Sequence, residues 1–140
     1  MAVSGKFRVS MEDVFAFGAY LVAEVVPVRD FDKSTRELFV QQMDKETGLP
    51  LFAVTVLDAD PQARKSEKTV TVKIAAHYQP VPPEAALGMP FPSVAFDDLT
   101  VTPYVDSKTG RMAYSLRASA LRAPNTGKAS GRGSASAEAA

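Results

Sequence analysis

Between Val94 and Arg122 the chain VAFDDLTVTPYVDSKTGRMAYSLRASALR reads as two long strands joined by the tight turn Asp106-Ser-Lys-Thr-Gly110. Met112, Tyr114, Leu116, Ala118 and Ala120 alternate with Arg111, Ser115, Arg117 and Ser119. A period of two puts one set on each face of a strand, so this segment suits a half-buried sheet and not a helix. On the preceding strand Leu99, Val101, Pro103 and Val105 alternate with Thr100, Thr102 and Tyr104. With the apolar set inward, Tyr104 is a ring on the wet face near Arg111 and Arg117. Cations beside an exposed ring are what a stacking platform for single-stranded nucleic acid requires.

The rest of the chain repeats the theme. Thr69–Tyr78 (TVTVKIAAHY) alternates Val70, Val72, Ile74 and Ala76 with Thr71, Lys73 and His77. It adds Lys73 to the polar face. ELFVQQMD (37–44) and LFAVTVLD (51–58) flank a loop with Gly48 and Pro50, which predicts a hairpin. The β-branched run from Ala19 predicts a first long strand. Ser10 ahead of Glu12, Asp13 and the apolar Val14, Phe15 and Phe17, with Gly18 after them, predicts a helix of about two turns. Five prolines between Gln79 and Pro92 exclude a central strand there, because proline lacks the backbone donor. After Asn125 only a Gly/Ser/Ala-rich tail remains, with too little apolar area to offset the entropy of ordering it.

These elements predict a mainly β fold: a small five- to six-stranded OB-like barrel with one short helix. The expected divisions are an N-terminal arm with the helix (1–18), the barrel (19–123) and a disordered tail (124–140). Val54, Val56, Val72, Ile74, Leu99, Val101, Tyr114, Leu116 and either Leu21 or Val22 are expected in the core.

Several kinds of chemistry are missing from the sequence. It has no cysteine and one histidine, so thiolate chemistry and a zinc site have no ligands to use. His77 falls on the polar side of a strand, and there is no G-x-S-x-G elbow or phosphate-cradling glycine loop. The pairs Asp30/Asp32, Asp58/Asp60 and Asp97/Asp98 lie at strand ends, where Asp caps turns more often than it binds a cation. A non-enzymatic protein without metal or cofactor is the expectation. Two adjacent helices for a helix-turn-helix are also lacking. No apolar run approaches the roughly 18 residues of a membrane span, and the start of the chain does not suit a signal peptide, so a cytoplasmic location is expected.

Charge is balanced, with 16 basic and 16 acidic residues, but unevenly placed. Ser107–Ala123 holds Lys108, Arg111, Arg117 and Arg122 without an acid, whereas 30–47 holds five carboxylates against three cations. Such a chain can own a basic stripe if the basic segments lie side by side.

The strings FGAYLVAEVVPVRDFDKSTRE, QMDKETGLPLFAVTVLDADPQARK, TVTVKIA, QPVPPEA, VAFDDLTVTPYV and GRMAYSLRA follow one another in order. Together they resemble the actinomycete plasmid replication, integration and excision activators, proteins carried by plasmids and integrative conjugative elements. The resemblance runs from about Phe17 to Pro124. It implies a regulator that promotes replication of an excised element and, through it, integration and excision; it brings no catalytic residues. The final hairpin is also similar in architecture to that of bacterial single-stranded-DNA-binding proteins, which are OB-folds. The expected partner is single-stranded or plasmid DNA, held by Lys73, Tyr104, Arg111 and Arg117. The alternative is an adaptor that recruits a replication initiator or transcription factor without contacting DNA. The proline-rich loop, with Val81 between Pro80 and Pro82, favours that alternative. Self-association is left open by the sequence.

Overall fold

The computed structural model describes residues 5–124. The expected disorder of 124–140 therefore lies, apart from Pro124, outside the described residues. The fold is mainly β, a single curled sheet. Its strands are β1 (Phe7–Arg8), β2 (Ala19–Leu21), β3 (Val26–Pro27), β4 (Leu51–Asp58), β5 (Thr69–Ala75), β6 (Ser93–Asp97), β7 (Thr100–Val105), β8 (Met112–Ala118) and β9 (Ala120–Arg122). The one α-helix among the described residues, α1, spans Met11–Val14.

The described residues hold nine strands against five or six expected, because long strands are broken and the short β1 is added on β7. The predicted first strand divides into β2 and β3, both antiparallel to β4. Leu21 lies opposite Val56 and Val26 opposite Ala53, so four residues on one side face two on the other. Extra residues of this kind bend a strand locally, and here they turn Val25 into the core at 5% exposure. In the same way β6 and β7 are separated only by Asp98 and Leu99, and β8 and β9 only by Ser119. The pairs Asp97↔Ala120 and Thr100↔Arg117 keep one register across that break. These four strands are two long strands bent together.

The neighbours run β1-β7-β8-β5-β4-β2-β6-β9, with β3 also on β4. All pairs are antiparallel except β5 with β8. Because β7 leads into β6 and β8 into β9 along one bent ribbon, that ribbon flanks the central strands on both sides, with the two-residue β1 added outside β7. Side chains from β4 (Phe52, Val54, Val56), β5 (Val72, Ile74) and the ribbon (Phe96, Leu99, Leu116) meet in one core. Phe15 joins them, its ring 6.0 Å from that of Phe96. It is delivered by α1, one turn long and not two. The Ser10 hydroxyl there accepts from the Asp13 amide at 3.1 Å, and the Asp13 carboxylate accepts from the Ser10 amide at 2.9 Å. This reciprocal cap satisfies donors a single turn cannot satisfy itself.

Residues 37–44 do not form the expected hairpin strand. They make only isolated bridges, Arg29↔Gln41 and Met43↔Pro50, within a loop laid beside the end of β4. The turn beyond was well marked, and it recurs. Asp44-Lys-Glu-Thr-Gly48 and Asp106-Ser-Lys-Thr-Gly110 share one plan. The Gly amide donates to the Asp carbonyl, and the Asp amide donates to the carbonyl of the residue after the Gly. Each Gly has positive φ, 74° and 70°, where a Cβ is unfavourable. The Thr hydroxyl in each accepts the next-but-one amide, Leu49 or Arg111.

Candidate nucleic-acid interface

β-Register fixes which side chains share a face. Lys73 of β5 lies beside Arg117 of β8, and Arg117 lies opposite Thr100 of β7. Two and four residues along the ribbon stand the pairs Thr102↔Ser115 and Tyr104↔Ala113, on the same face. Tyr104 is thus roughly 13 Å along the strand from Thr100. Thr71 and Thr55 continue the face onto β5 and β4, with their hydroxyls 3.4 Å apart. The outer face of the sheet is therefore a field of hydroxyls with Lys73 and Arg117 at one end and the Tyr104 ring, 49% exposed, at the other.

Three of the four residues picked from the sequence, Lys73, Tyr104 and Arg117, share this face. Arg111 lies one residue before β8, at the mouth of the turn, where its carbonyl accepts from the Asp106 amide at 2.9 Å. It is exposed at the ribbon tip with Lys108. Lys73 and Arg111 make no ion pair among the described residues. Arg117 differs: its Nη1 donates to Asp44 Oδ1 at 2.5 Å. The Asp44 side chain is 8% exposed and that of Arg117 42%. Hydrogen bonds from Thr47 come first in lowering the Asp44 pKa, and Arg117 adds to them, while burial opposes. Arg117 thus fastens the 44–48 turn to the sheet and shows only part of its guanidinium to solvent.

Tyr114 corrects the expected core: it is 65% exposed, with Met112 at 59% and Val105 at 63% beside it. These residues have inward parity, but the ribbon continues past the element that would cover them. The ladder between β5 and β8 starts only at Val72 and Leu116, so nothing from β5 stands over Tyr114. The ribbon tip thus shows a tyrosine on each face. Alternation gives parity and not the place where the core stops. The late start of β8's pairing has no signal in composition.

The acidic pairs have local uses. Asp30 accepts amides of Asp32 and Lys33, Asp58 that of Asp60, and Asp60 that of Gln62. Asp97 accepts from Arg122 Nε at 2.8 Å. Among the described residues no three His, Cys, Asp or Glu converge as a metal site. Among them, too, no helix is long and apolar enough to cross a membrane. No family model, curated protein or solved structure matches this chain.

Proposed function

We propose that this chain is a non-enzymatic accessory protein of a plasmid or integrative element, of the replication, integration and excision activator kind it resembles, and that it binds single-stranded nucleic acid. The observation that carries this reading is the shared outer face of Lys73, Tyr104 and Arg117, lined between them by Thr71, Thr102 and Ser115. Phosphates meet the cations and hydroxyls, and a base stacks on the exposed ring. An OB-like barrel is supported by the pairing order. With the bent ribbon counted as two strands, β2, β4, β5 and that ribbon make five, closing through β6 on β2. The parallel contact between the third and last of these is also in keeping with an OB-like barrel.

Anisotropy of labelled single- and double-stranded oligonucleotides, at low and moderate salt, tests the reading. Single strands bind more tightly, and affinity falls steeply with salt. Tyr104→Ala weakens single-strand binding by about 1–3 kcal/mol, the worth of one stacked base. Lys73→Ala and Arg111→Ala each reduce the salt slope by about one. Lys33→Ala and Lys45→Ala, among carboxylates elsewhere, change little. Absent oligonucleotide binding would end this reading. The adaptor would then take its place, and it has an observation of its own. Tyr78, Val81 and Leu87 of the proline-rich loop are 86%, 83% and 104% exposed, apolar area that a protein partner would cover.

A further inference from the structure

A parallel pair of strands has no hairpin to hold its ends together. The ladder of β5 with β8 covers only Val72–Ile74 and Leu116–Ala118, and before it the strands part around an open slot of about 1230 Å³. Small-molecule clefts usually measure about 300–1,000 Å³, so a nucleotide has room. Register sorts the lining into two sides. At the outer mouth stand Thr71, Lys73, Thr102, Tyr104 and Ser115, the face already assigned to nucleic acid. On the inner side Val70 is level with Tyr114 when the ladder is continued by two residues, and Val101 and Met112 extend this apolar wall. Asp58 belongs there too. Its amide donates to the Lys68 carbonyl at 2.7 Å, which sets it opposite Lys68 and on the side of Val70. Its Oδ1 accepts the Asp60 amide, and Oδ2 has no partner among the described residues. Glu67, in the 3-10 turn Lys65–Glu67 that leads into β5, lines the slot as well. Backbone bonds alternate along an antiparallel ladder. The Asp58–Lys68 bond therefore turns the Thr71 amide away from β4, and the Asp106–Arg111 bond turns the Tyr114 carbonyl away from β7. Both face the slot just beyond the end of the β5–β8 ladder.

We propose, resting on the nucleic-acid reading, that the slot takes one guanine of the bound strand while the phosphates stay at the outer mouth. The charges are sorted for that occupant. Lys73 and the hydroxyls meet the phosphates outside, and the carboxylates inside turn back a further anion and accept N–H groups. A flat ring with apolar faces fits between Val70 and Tyr114 and stacks on the tyrosine. Guanine carries two adjacent donors on one edge, N1–H and the 2-amino group, and a carboxylate has lone pairs enough to accept both. Asp58 is placed to do so. Thymine flanks its one donor with carbonyls on both sides, so it brings an acceptor against the carboxylate. Hypoxanthine keeps the purine size and lacks the amino group, which separates hydrogen bonding from fit.

The test measures anisotropy of fluorescein-labelled oligothymidylates about ten nucleotides long, within the span of one OB-like fold, on the full chain. One strand has thymine throughout, one a central guanine and one a central hypoxanthine. The guanine strand is expected to bind about fivefold tighter or more than the other two, and it alone slows hydrogen exchange at the Thr71 amide. Asp58→Asn keeps an acceptor for the Asp60 amide and abolishes the preference, leaving the all-thymine affinity and the unfolding midpoint unchanged. Tyr114→Ser, at an exposed position, weakens the guanine strand about threefold or more and the all-thymine strand little. Equal affinity for guanine and hypoxanthine strands, or a preference that survives Asp58→Asn, overturns the proposal. So does free GMP that competes as well as the guanine strand, because the slot would then hold a nucleotide without the outer face. An all-thymine strand that binds with no gain from guanine ends the slot alone. No binding of any strand ends the nucleic-acid reading and the slot with it.

Discussion

Asp44 is the one charged side chain buried among the described residues, and it is fully used. Oδ2 accepts from both the Thr47 amide and hydroxyl, and Oδ1 accepts from Arg117. Removing one partner of such a pair costs more than the pair is worth, because the other charge stays behind desolvated. Arg117 is partly exposed, so the cost lies between the surface and buried limits. Arg117→Ala is expected to lower stability by about 1–2 kcal/mol in a denaturant titration. The pH dependence has a definite sign. The carboxyl of folded Asp44 sits below its ordinary value, so the unfolded chain takes up the proton first as pH falls. The stability it contributes is complete at neutral pH and is lost below about pH 4, down through the lowered folded value. Asp44→Asn should therefore cost stability at pH 7, with the gap to the unmodified protein shrinking as pH falls below about 4. A gap that stays constant with pH would mean that the ionised carboxylate contributes nothing. Arg117 also shows where residue-level reading of the sequence stops. Its place on the polar face followed from parity, but its neighbour Lys73 is set by register, and its partner Asp44 is 73 residues away at the end of a segment expected to be a strand.

At the scale of elements, the bend in the ribbon does the shaping. Asp98 stands at φ 52°, the only described residue other than glycine with positive φ. Aspartate tolerates this region better than most residues, because its short side chain bonds locally. Here it accepts from Ser119 Oγ at 2.7 Å and from Arg8 at 3.0 Å, while the Ser119 amide donates to the Asp97 carbonyl at 2.9 Å. The contact ties β1 and both ribbon strands at the one point where they change direction. Asp98→Ala keeps the strained φ and loses the acceptors, and is expected to cost about 1–3 kcal/mol of unfolding free energy. Asp98→Gly relieves the strain and should cost less than Ala. A Gly variant less stable than the Ala variant would show that the backbone at 98 is not what holds the bend. Sequence reading succeeds where an element's own residues decide its form: β5, β4, the Ser10 cap and the Thr-Gly turns are local matters. It misses where the partner decides. Ala19–Pro27 looks continuous, and only the register against β4 inserts the bulge; Tyr114 looks buried, and only the end of the β5 ladder exposes it.

At the scale of the whole molecule, one core joins β2, β4, β5 and the ribbon, while β1 and β3 lie exposed outside it. Val72 and Ile74 of β5, both at 0% exposure, pack with side chains from β4 and the ribbon. The ribbon joins β5 at one end through β8 and β2 at the other through β6, so it cannot leave without opening both contacts. Such an arrangement predicts a single cooperative transition, as small domains with one core generally show. Ile74→Ala tests the packing and the cooperativity together. Loss of the buried side chain and the cavity left behind should lower stability by about 2–5 kcal/mol. Its far-ultraviolet signal, which follows the sheet, and its tyrosine signal, which weighs the ribbon through Tyr104 and Tyr114, should still fall at one midpoint. The slope of free energy with denaturant should match that of the unmodified protein, since the same surface is exposed on unfolding. An unchanged midpoint would place β5 outside the core. Two separated midpoints would mean that the ribbon and the β2–β5 sheet are held by different packing, and the nucleic-acid face, which needs Lys73 from one and Tyr104 from the other, would then lack a rigid frame.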